Sequence, residues 1–427
     1  MRRSLSLSLS LLLPSLAAVS ACSAEVSPST STGESSAALC AVDPNRELLI
    51  LNLSVVEDPA RTAYPGAWSF GHLFTELAGE QDVQTFIRTW LDHFDQDQLI
   101  NGFEVPRREF FRERVVGGWE RASKKHGVDG LDLAHPAFRL LGIANRIDLR
   151  ESCQGEVKHA GEGRFLFGFI DPSFEGTTGE ETLRGTMIIE YQLPAASCAQ
   201  VKKWAQAWHA LGQIPLGTPE FNQKLELITR SFTDRRGDMP PVLAQVRTNE
   251  LIDEFPWQWR EFKIANDGLL RQTTVRNTPD TEVNRSRLLA HYVNHNEADI
   301  LAGRHEVPLS WHGWPLRGAS SDGEPVSTFF SAPGIHNNDA RHMLSLFTCV
   351  GCHTQETGTG FFQVGPRQRG VQAFPSGFLT GTSTPDPVDP NVIRTFADLD
   401  RRANDLCGVL TTSCETLLAQ PKLARPH

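Results

Sequence analysis

The chain has 427 residues and a formal net charge of −10 at pH 7, with 22% charged and 40% hydrophobic residues. That length predicts two or three domains. An acidic chain without a basic cluster lacks the electrostatic footprint of nucleic-acid binding, so we expect no nucleic-acid partner. It contains no P-loop, no dinucleotide-binding fingerprint and no Gly-x-Ser-x-Gly motif, so no enzyme class is indicated.

The first 21 residues predict an export signal. Arg2 and Arg3 precede an apolar run, residues 5–16, that is too short and too rich in serine for a permanent membrane span. The segment ending at Cys22 resembles the lipobox of bacterial lipoproteins, which implies a lipid on that cysteine. The alternative is ordinary cleavage, with Cys22 incidental. Residues 22–42, rich in serine and threonine, predict a flexible tether. The expected location is the cell envelope, lipid-anchored, at the outer membrane.

Residues 43–305 predict an α+β domain. Strand-like and helical patterns come in mixed groups rather than in strict alternation, which favours α+β over a doubly wound sheet. Strands are predicted at residues 48–56, 163–170, 185–192, 242–246, 257–264 and 269–275, and helices at 69–77, 83–95, 108–125, 198–211, 219–232 and 280–302.

Aromatic and histidine residues of this domain have two interpretations each. Phe255, Trp257 and Trp259 alternate along one strand, which fits a buried core better than a sugar-binding platform. His291 and His295 are four residues apart on a predicted helix, which fits a solvated face better than a metal site.

The strongest motif follows a linker predicted at residues 306–332. Cys349-Val-Gly-Cys352-His353 is the attachment pattern of a c-type haem. Two cysteines three apart on a helix share a face, so both can bond one porphyrin edge, and His353 can ligate the iron through Nε2. A helix is predicted just before the motif, at residues 338–346.

The same stretch, with Gly365 and Pro366, resembles the proximal half of a class I cytochrome c. The resemblance implies a small, mostly α-helical domain over residues 333–427 with a closing helix at 392–410. It also implies electron transfer to an unknown redox partner protein, and a Pro366 carbonyl that holds Nδ1 of His353. The distal methionine of that family is missing, because no methionine follows Met343.

The whole chain also resembles a family of uncharacterised secreted bacterial lipoproteins, which implies no particular activity. The segments that carry this resemblance are Gln245–Asn249, Pro256–Phe262, Ala340–His342 and Thr348–Thr357.

Other interpretations of the motif stay open. One is a zinc site that uses the two cysteines with His342 or His353, and another is a haem-free surface protein with structural cysteines. With haem bound, an open distal side would suit peroxide or small-ligand chemistry and a sixth ligand would suit electron transfer. Candidate sixth ligands are His291, His295, His305, His312, His336, Met187 and Met239, and Arg341, Arg367 and Arg369 are candidate partners for the propionates.

Five cysteines remain after Cys22 and the motif are set aside. Export makes disulfides permissible. We expect one bond between Cys153 and Cys198, which flank two predicted strands, and a local bond between Cys407 and Cys414. Cys40 is then left over.

Overall fold

A central antiparallel sheet organises the fold. The computed structural model describes residues 40–153, 156–174, 180–250, 256–323 and 329–419. Seven strands run β1-β2-β3-β4-β5-β6-β7 across the sheet in chain order, and β8 pairs with the first half of β6. The strands are β1 Leu49–Ile50, β2 Phe138–Arg146, β3 Glu162–Asp171, β4 Glu181–Gln192, β5 Leu243–Glu250, β6 Trp257–Ile264, β7 Leu270–Thr273 and β8 Ser321–Gly323.

Helices and four small hairpins surround this sheet. The hairpins pair Gln98–Ile100 with Phe103–Val105, Glu151–Cys153 with Glu156–His159, Ser310–Trp311 with Trp314–Pro315, and Thr382–Pro385 with Ile393–Phe396. The α-helices are Pro44–Glu47, Leu53–Val56, Pro59–Thr62, Phe70–Ala78, Val83–Leu91, Gly117–Lys125, Cys198–His209, Pro219–Thr233, Arg287–His295, Glu297–Leu301, Asn338–Leu346, Gly377–Thr380, Asp398–Thr411 and Cys414–Ala419; a π-helix spans Phe111–Val116.

One face of the sheet is aromatic. Side chains alternate along a strand, and the register places Phe165 beside Ile189 and Phe167 beside Met187 on this face. Phe70 packs on it with its ring centroid 4.4 Å from that of Phe138. We call this the aromatic face. It is completed by Phe169, Tyr191, Val246 and Phe262 from the sheet and by Phe74, Trp90, Phe94, Phe111 and Trp119 from the helices.

The opposite face carries buried charges. Arg146 lies beside Glu162, Arg164 beside Glu190, and Arg247 beside Glu261 across neighbouring strands. Each of these six side chains is buried. We call this the charged face. It is covered by the segment that contains the Cys-x-x-Cys-His motif and by the helix Asp398–Thr411, whose Arg401 reaches Asp148 at 2.8 Å.

The α+β class is confirmed, but the structure does not separate a second domain at residues 306–332. Residues described from Cys40 onward belong to one compact unit. The two hydrophobic clusters both combine residues from the first 305 positions with residues of the last 95. The physical reason is that segments after residue 332 pack on the charged face of the sheet.

Element boundaries were predicted unevenly. The helix Asn338–Leu346 and the strand Trp257–Ile264 match the prediction. The predicted strand 48–56 is instead the short β1 followed by the helix Leu53–Val56, capped by Asn52. The predicted closing helix begins only at Asp398, because Ile393–Phe396 is a strand. Strand β2, which pairs with β1 and β3, was not predicted.

Candidate functional site: the buried Cys-x-x-Cys-His turn

The motif lies in a tight turn after the helix Asn338–Leu346. Asn337 caps that helix through its side chain, which accepts from the amides of Asp339 and Ala340. After Leu346, the Cys352 amide donates to the Thr348 carbonyl at 3.1 Å. Cys349 and Cys352 therefore share one turn, as expected, although the α-helix itself has ended.

Gly351 makes this turn possible. A Cβ atom at that position would lie 1.9 Å from the carbonyl oxygen of Ser345, far inside van der Waals contact. Any larger residue would push the motif off the preceding helix. The glycine between the two cysteines is thus a requirement of close backbone approach.

Hydrogen bonds fix the motif to the body of the protein. The Cys349 amide donates to the hydroxyl of Thr278 at 3.2 Å, and the Val350 amide donates to the hydroxyl of Ser321 at 3.2 Å. Both acceptors are buried. These contacts explain why the motif belongs to the same unit as the sheet.

The two cysteine side chains are buried thiols. Cys349 is 7% exposed and Cys352 is 2% exposed, and neither forms a disulfide in the structure. Burial raises the pKa of the Cys349 thiol to about 11 despite the nearby Arg247. Burial also raises the pKa of Cys352. Both thiols are therefore protonated at neutral pH.

His353 is buried against two neighbouring tryptophans. Its ring centroid lies 5.3 Å from that of Trp257 and 5.2 Å from that of Trp259. Burial lowers the pKa of His353 to about 3, although the backbone of Phe361 and Gly360 opposes that change. The imidazole is thus neutral, the form that ligates a metal.

The structure does not bring Pro366 to His353. Nδ1 of His353 is buried and has no hydrogen-bond partner among the described residues, so the expected bond to a carbonyl near Pro366 is absent. The backbone that interacts with the ring is that of Phe361 and Gly360, earlier in the chain than Pro366, and it favours the protonated imidazole.

A cavity borders His353 on the charged face. The space not filled by protein atoms is about 670 Å³, open solvent included. The centre of a water molecule can occupy about 70 Å³ of it. Its walls are the sheet residues Leu166, Ile188 and Trp259 and, on the cover, Val364 and Phe378. Three arginines also line it: Arg146, Arg164 and Arg402.

The arginines are held in place by acidic partners. Arg146 contacts Asp148 at 2.8 Å, Arg164 contacts Glu162 at 2.6 Å, and Arg402 contacts Asp398 at 2.5 Å. Burial and the neighbouring Arg146 lower the pKa of Arg402 to about 10, which still leaves it charged at neutral pH. The cavity therefore has an apolar wall and a fixed row of guanidinium groups.

Several buried polar atoms near the cavity have no hydrogen-bond partner. They include Nδ1 of His353, Nε1 of Trp259 and Nε of Arg402. Native proteins rarely bury polar atoms without partners, and such a cluster indicates water or a ligand.

The predicted charge partners and distal ligands lie elsewhere. Arg341 is held by Glu356 and Asp386, Arg367 by Glu57 and Arg369 by Glu180. None of these three arginines lines the cavity. Met187 lies on the aromatic face, away from the motif. His305 is buried with both ring nitrogens unpartnered and packs on Phe347. His291, His295 and His312 cluster around Trp311, and Met239 and His336 are exposed.

The zinc interpretation gains no support from the arrangement. His342 lies beside Glu356 and Asp386. Within the described residues, neither of the two side-chain groups with metal-ligand spacing includes a cysteine. The physical reason is that the helix places His342 about two turns before Cys349.

The disulfide predictions were wrong. Cys198 bonds Cys414, with the two Cα atoms 5.6 Å apart. Cys198 therefore does not pair with Cys153, and Cys414 does not pair with Cys407. Cys407 instead lies against Cys40, its sulfur 3.6 Å from the Cys40 carbonyl oxygen. The side chain of Cys153 and all of Cys22 lie outside the described residues. Sequence spacing failed because the bond joins positions 216 residues apart.

The tryptophan prediction was right. Trp257 and Trp259 are buried at 0% and 6% exposure, which excludes them as a sugar-binding platform. Phe255 lies outside the described residues. Sequence reasoning missed the cavity arginines. For Arg164 the signal was the alternation of charged residues in Glu162-Gly-Arg164 within an apolar strand.

Comparisons of the chain with protein-family models, with curated proteins and with solved structures found no match. Within the residues that the structure describes, no helix is long and apolar enough to cross a membrane.

Proposed function

We propose that this protein is an exported, lipid-anchored envelope protein that carries a covalent haem on Cys349 and Cys352 and transfers electrons to a partner protein. The observation that supports the proposal is the neutral, buried imidazole of His353, which borders a cavity with arginine head groups. Haem needs these parts: two thiols, one imidazole ligand and cationic partners for its propionates.

The residues present fit that group chemically. Cys349 and Cys352 offer two thiols on one turn, and His353 next to them offers a buried, neutral imidazole. Arg146 and Arg164, on the charged face, are placed to bind carboxylates. When bound, the haem iron supplies one-electron redox chemistry. The two tryptophans that pack against His353 hold its ring and keep water away.

The volume of the cavity sets a requirement for haem attachment. A space of about 70 Å³ for water centres holds roughly five water molecules, which is less than a porphyrin needs. Attachment would therefore require the cover residues Val364, Phe378 and Leu379 to move. The experiment below measures whether attachment takes place.

The test is a pyridine haemochrome assay on protein exported in cells that have the haem-attachment machinery. We expect about one haem per chain. Cys349→Ala combined with Cys352→Ala should abolish it, and His353→Ala should alter the spectrum even if attachment survives. Cys407→Ala, a cysteine away from the cavity, is the matched control and should keep full haem content. A haem content near zero in the parent would overturn the proposal.

A haem-free binding protein is the second candidate. The small size of the cavity and the protonated state of both thiols favour it. In that case Cys349 and Cys352 should react with an alkylating reagent after unfolding, with no mass added by haem. The same sample therefore decides between the two candidates.

The membrane anchor is tested separately. The lipobox resemblance implies that Cys22 carries the lipid, so Cys22→Ser should leave the protein unprocessed or release it from the membrane fraction. A processed variant that stays in the membrane fraction would contradict the anchor without touching the haem proposal.

A further inference from the structure

Two histidines and an aspartate converge on the surface away from the motif. Nδ1 of His126 and Nδ1 of His135 each lie 2.8 Å from the same Oδ2 atom of Asp132. The two ring centroids are 4.4 Å apart, and the three donor atoms all lie within 4.8 Å of one another. We call these three residues the His126 triad.

The local chain holds the triad rigidly. His126 ends the helix Gly117–Lys125, and Gly127 turns the chain with a positive φ of 73°. The Asp132 amide then donates to the Ser123 hydroxyl at 2.8 Å, while the Asp132 carbonyl accepts from the Trp119 indole at 2.9 Å. Both partners are fully buried. The aspartate is therefore fixed from the core side.

Three further hydrogen bonds hold this loop. Gln84 donates to the Leu131 carbonyl and accepts from the Leu131 amide, at 2.9 and 2.8 Å. The other oxygen of Asp132, Oδ1, accepts from the Ala134 amide at 2.9 Å. Oδ2 is thus left to the two imidazoles. A carboxylate oriented by its second oxygen is the usual support of a metal ligand.

We propose that the His126 triad is a binding site for a divalent transition-metal ion of the zinc type. Zinc binds histidine nitrogen and aspartate oxygen at about 2.0 to 2.2 Å. Tetrahedral angles then place the donors about 3.4 Å apart. The observed separations, from 2.8 Å to at most 4.8 Å, bracket that value, so small side-chain rotations bring the three atoms around one ion.

Exposure indicates what kind of metal site this is. The side chain of Asp132 is 9% exposed, whereas those of His126 and His135 are 39% and 61% exposed. The two imidazoles can carry their remaining proton in water when Nδ1 binds an ion. Three protein ligands at a surface leave a fourth position for water. Such a site exchanges its metal with solvent, unlike a closed structural site.

The test is a Zn²⁺ titration of the purified mature protein by calorimetry, with excess Mg²⁺ present to suppress binding to scattered carboxylates. We expect one site per chain. His126→Gln and His135→Gln should each weaken it at least tenfold, and the double variant should lose it. Asp132→Asn keeps the oxygen acceptor but removes the charge, and it should weaken binding at least tenfold without unfolding the loop.

A second histidine cluster supplies the matched control. His291 and His295 are also surface histidines with their ring centroids 6.1 Å apart, but His291 Nδ1 already accepts from the Trp311 indole. His291→Gln combined with His295→Gln should bind Zn²⁺ as the parent does. Equal affinity in all variants, or no stoichiometric binding by the parent, would overturn the proposal.

Chemical protection locates the ion independently of any variant. Diethyl pyrocarbonate modifies exposed imidazoles, and Zn²⁺ should protect His126 and His135 but not His336. Peptide mass spectrometry reads both outcomes in one sample. Modification of His126 and His135 that is unchanged by Zn²⁺ would contradict the site even if calorimetry detects binding elsewhere.

Discussion

The two faces of the central sheet differ in composition, because one buries aromatic rings and the other buries charged side chains. The aromatic face packs rings such as Phe70, Phe138 and Phe167 against helices, and its stability comes from apolar burial. The charged face buries Arg164 and Arg247 with Glu190 and Glu261 under the motif segment. Apolar packing needs only matching volumes, whereas buried charges need every partner in place.

This difference shows where function is expected. A protein that needed only a stable sheet could cover both faces with apolar residues, since replacing buried ion pairs by apolar residues is often neutral or stabilising. The charges instead lie beneath the motif segment, and two of the arginines, Arg146 and Arg164, line the cavity beside His353. We infer that the ion pairs of this face hold those arginines at the cavity.

The largest effect expected from breaking the charged face follows from Arg247→Met. The loss of Arg247 leaves the buried Glu190 and Glu261 with one cation fewer each, since among the described residues only Arg164 and Lys263 remain beside them, so the free energy of unfolding should fall by about 3 to 5 kcal/mol. Phe167→Ala on the aromatic face should cost about 4 kcal/mol by opening a cavity. Urea unfolding measures both.

A second substitution distinguishes the two mechanisms. Glu261→Gln should recover part of the stability lost in Arg247→Met, with a coupling of about 1 to 3 kcal/mol, because it removes the carboxylate charge that Arg247 no longer balances. The effects of Glu261→Gln and Phe167→Ala on the free energy of unfolding should be additive within about 0.5 kcal/mol. Strict additivity in both pairs would mean that the charged face is not an electrostatic network.

The aromatic face was far easier to predict than the charged face. Phe165, Phe167 and Phe169 alternate along β3, and period-two alternation of large apolar residues predicts a strand with one buried face. Arg164 alternates just as regularly, but a single sequence places such a residue on a solvated face. Burial of both faces depends on which segment covers the sheet, and that is a tertiary fact.

The candidate site was predicted only in its local part. The motif and its preceding helix follow from spacing and helical periodicity, and both are local properties. The missed strand β2 reads Phe-Arg-Leu-Leu-Gly-Ile-Ala-Asn-Arg. Arg139 and Arg146 interrupt its apolar residues, so the pattern does not predict a strand. The cavity joins β1, β2 and β3 to Arg402, more than 200 residues away, so no local pattern could indicate it.

The disulfide tests the comparison through the helix that covers the charged face. Cys198–Cys414 joins the helix Cys198–His209 to the C-terminal helix, and the first of these helices packs on the charged-face helix Asp398–Thr411. Cys198→Ala combined with Cys414→Ala should lower the free energy of unfolding by about 4 kcal/mol.

Hydrogen exchange shows where that loss falls. Amides of Asp398–Thr411 should exchange faster in the double alanine variant, while those of Phe70–Ala78 on the aromatic face should keep the parent's rates at short exchange times. Uniform acceleration in both helices would show that the disulfide stabilises the whole unit and not the cover of the charged face.

The smallest effect concerns His305, which lies on the motif side, packed against Phe347. Burial lowers the pKa of His305 to about 4, against about 6.5 in the unfolded chain. Between pH 6.5 and pH 4 the unfolded chain therefore binds a proton that the folded chain does not. Stability is fully present above pH 6.5 and is lost as the pH falls toward 4, by at most about 3 kcal/mol.

His305→Phe should remove this loss. Phenylalanine fills the same apolar site, and no nitrogen is left unpartnered there, so the variant should match or exceed the parent's stability at pH 7. Its free energy of unfolding should then decline less than the parent's between pH 6.5 and pH 4. The exposed His336→Gln is the control and should follow the parent's curve. Parallel curves for parent and His305→Phe would show that His305 takes up its proton in the folded state, and the motif side of the sheet would then tolerate a buried charge beyond its paired arginines.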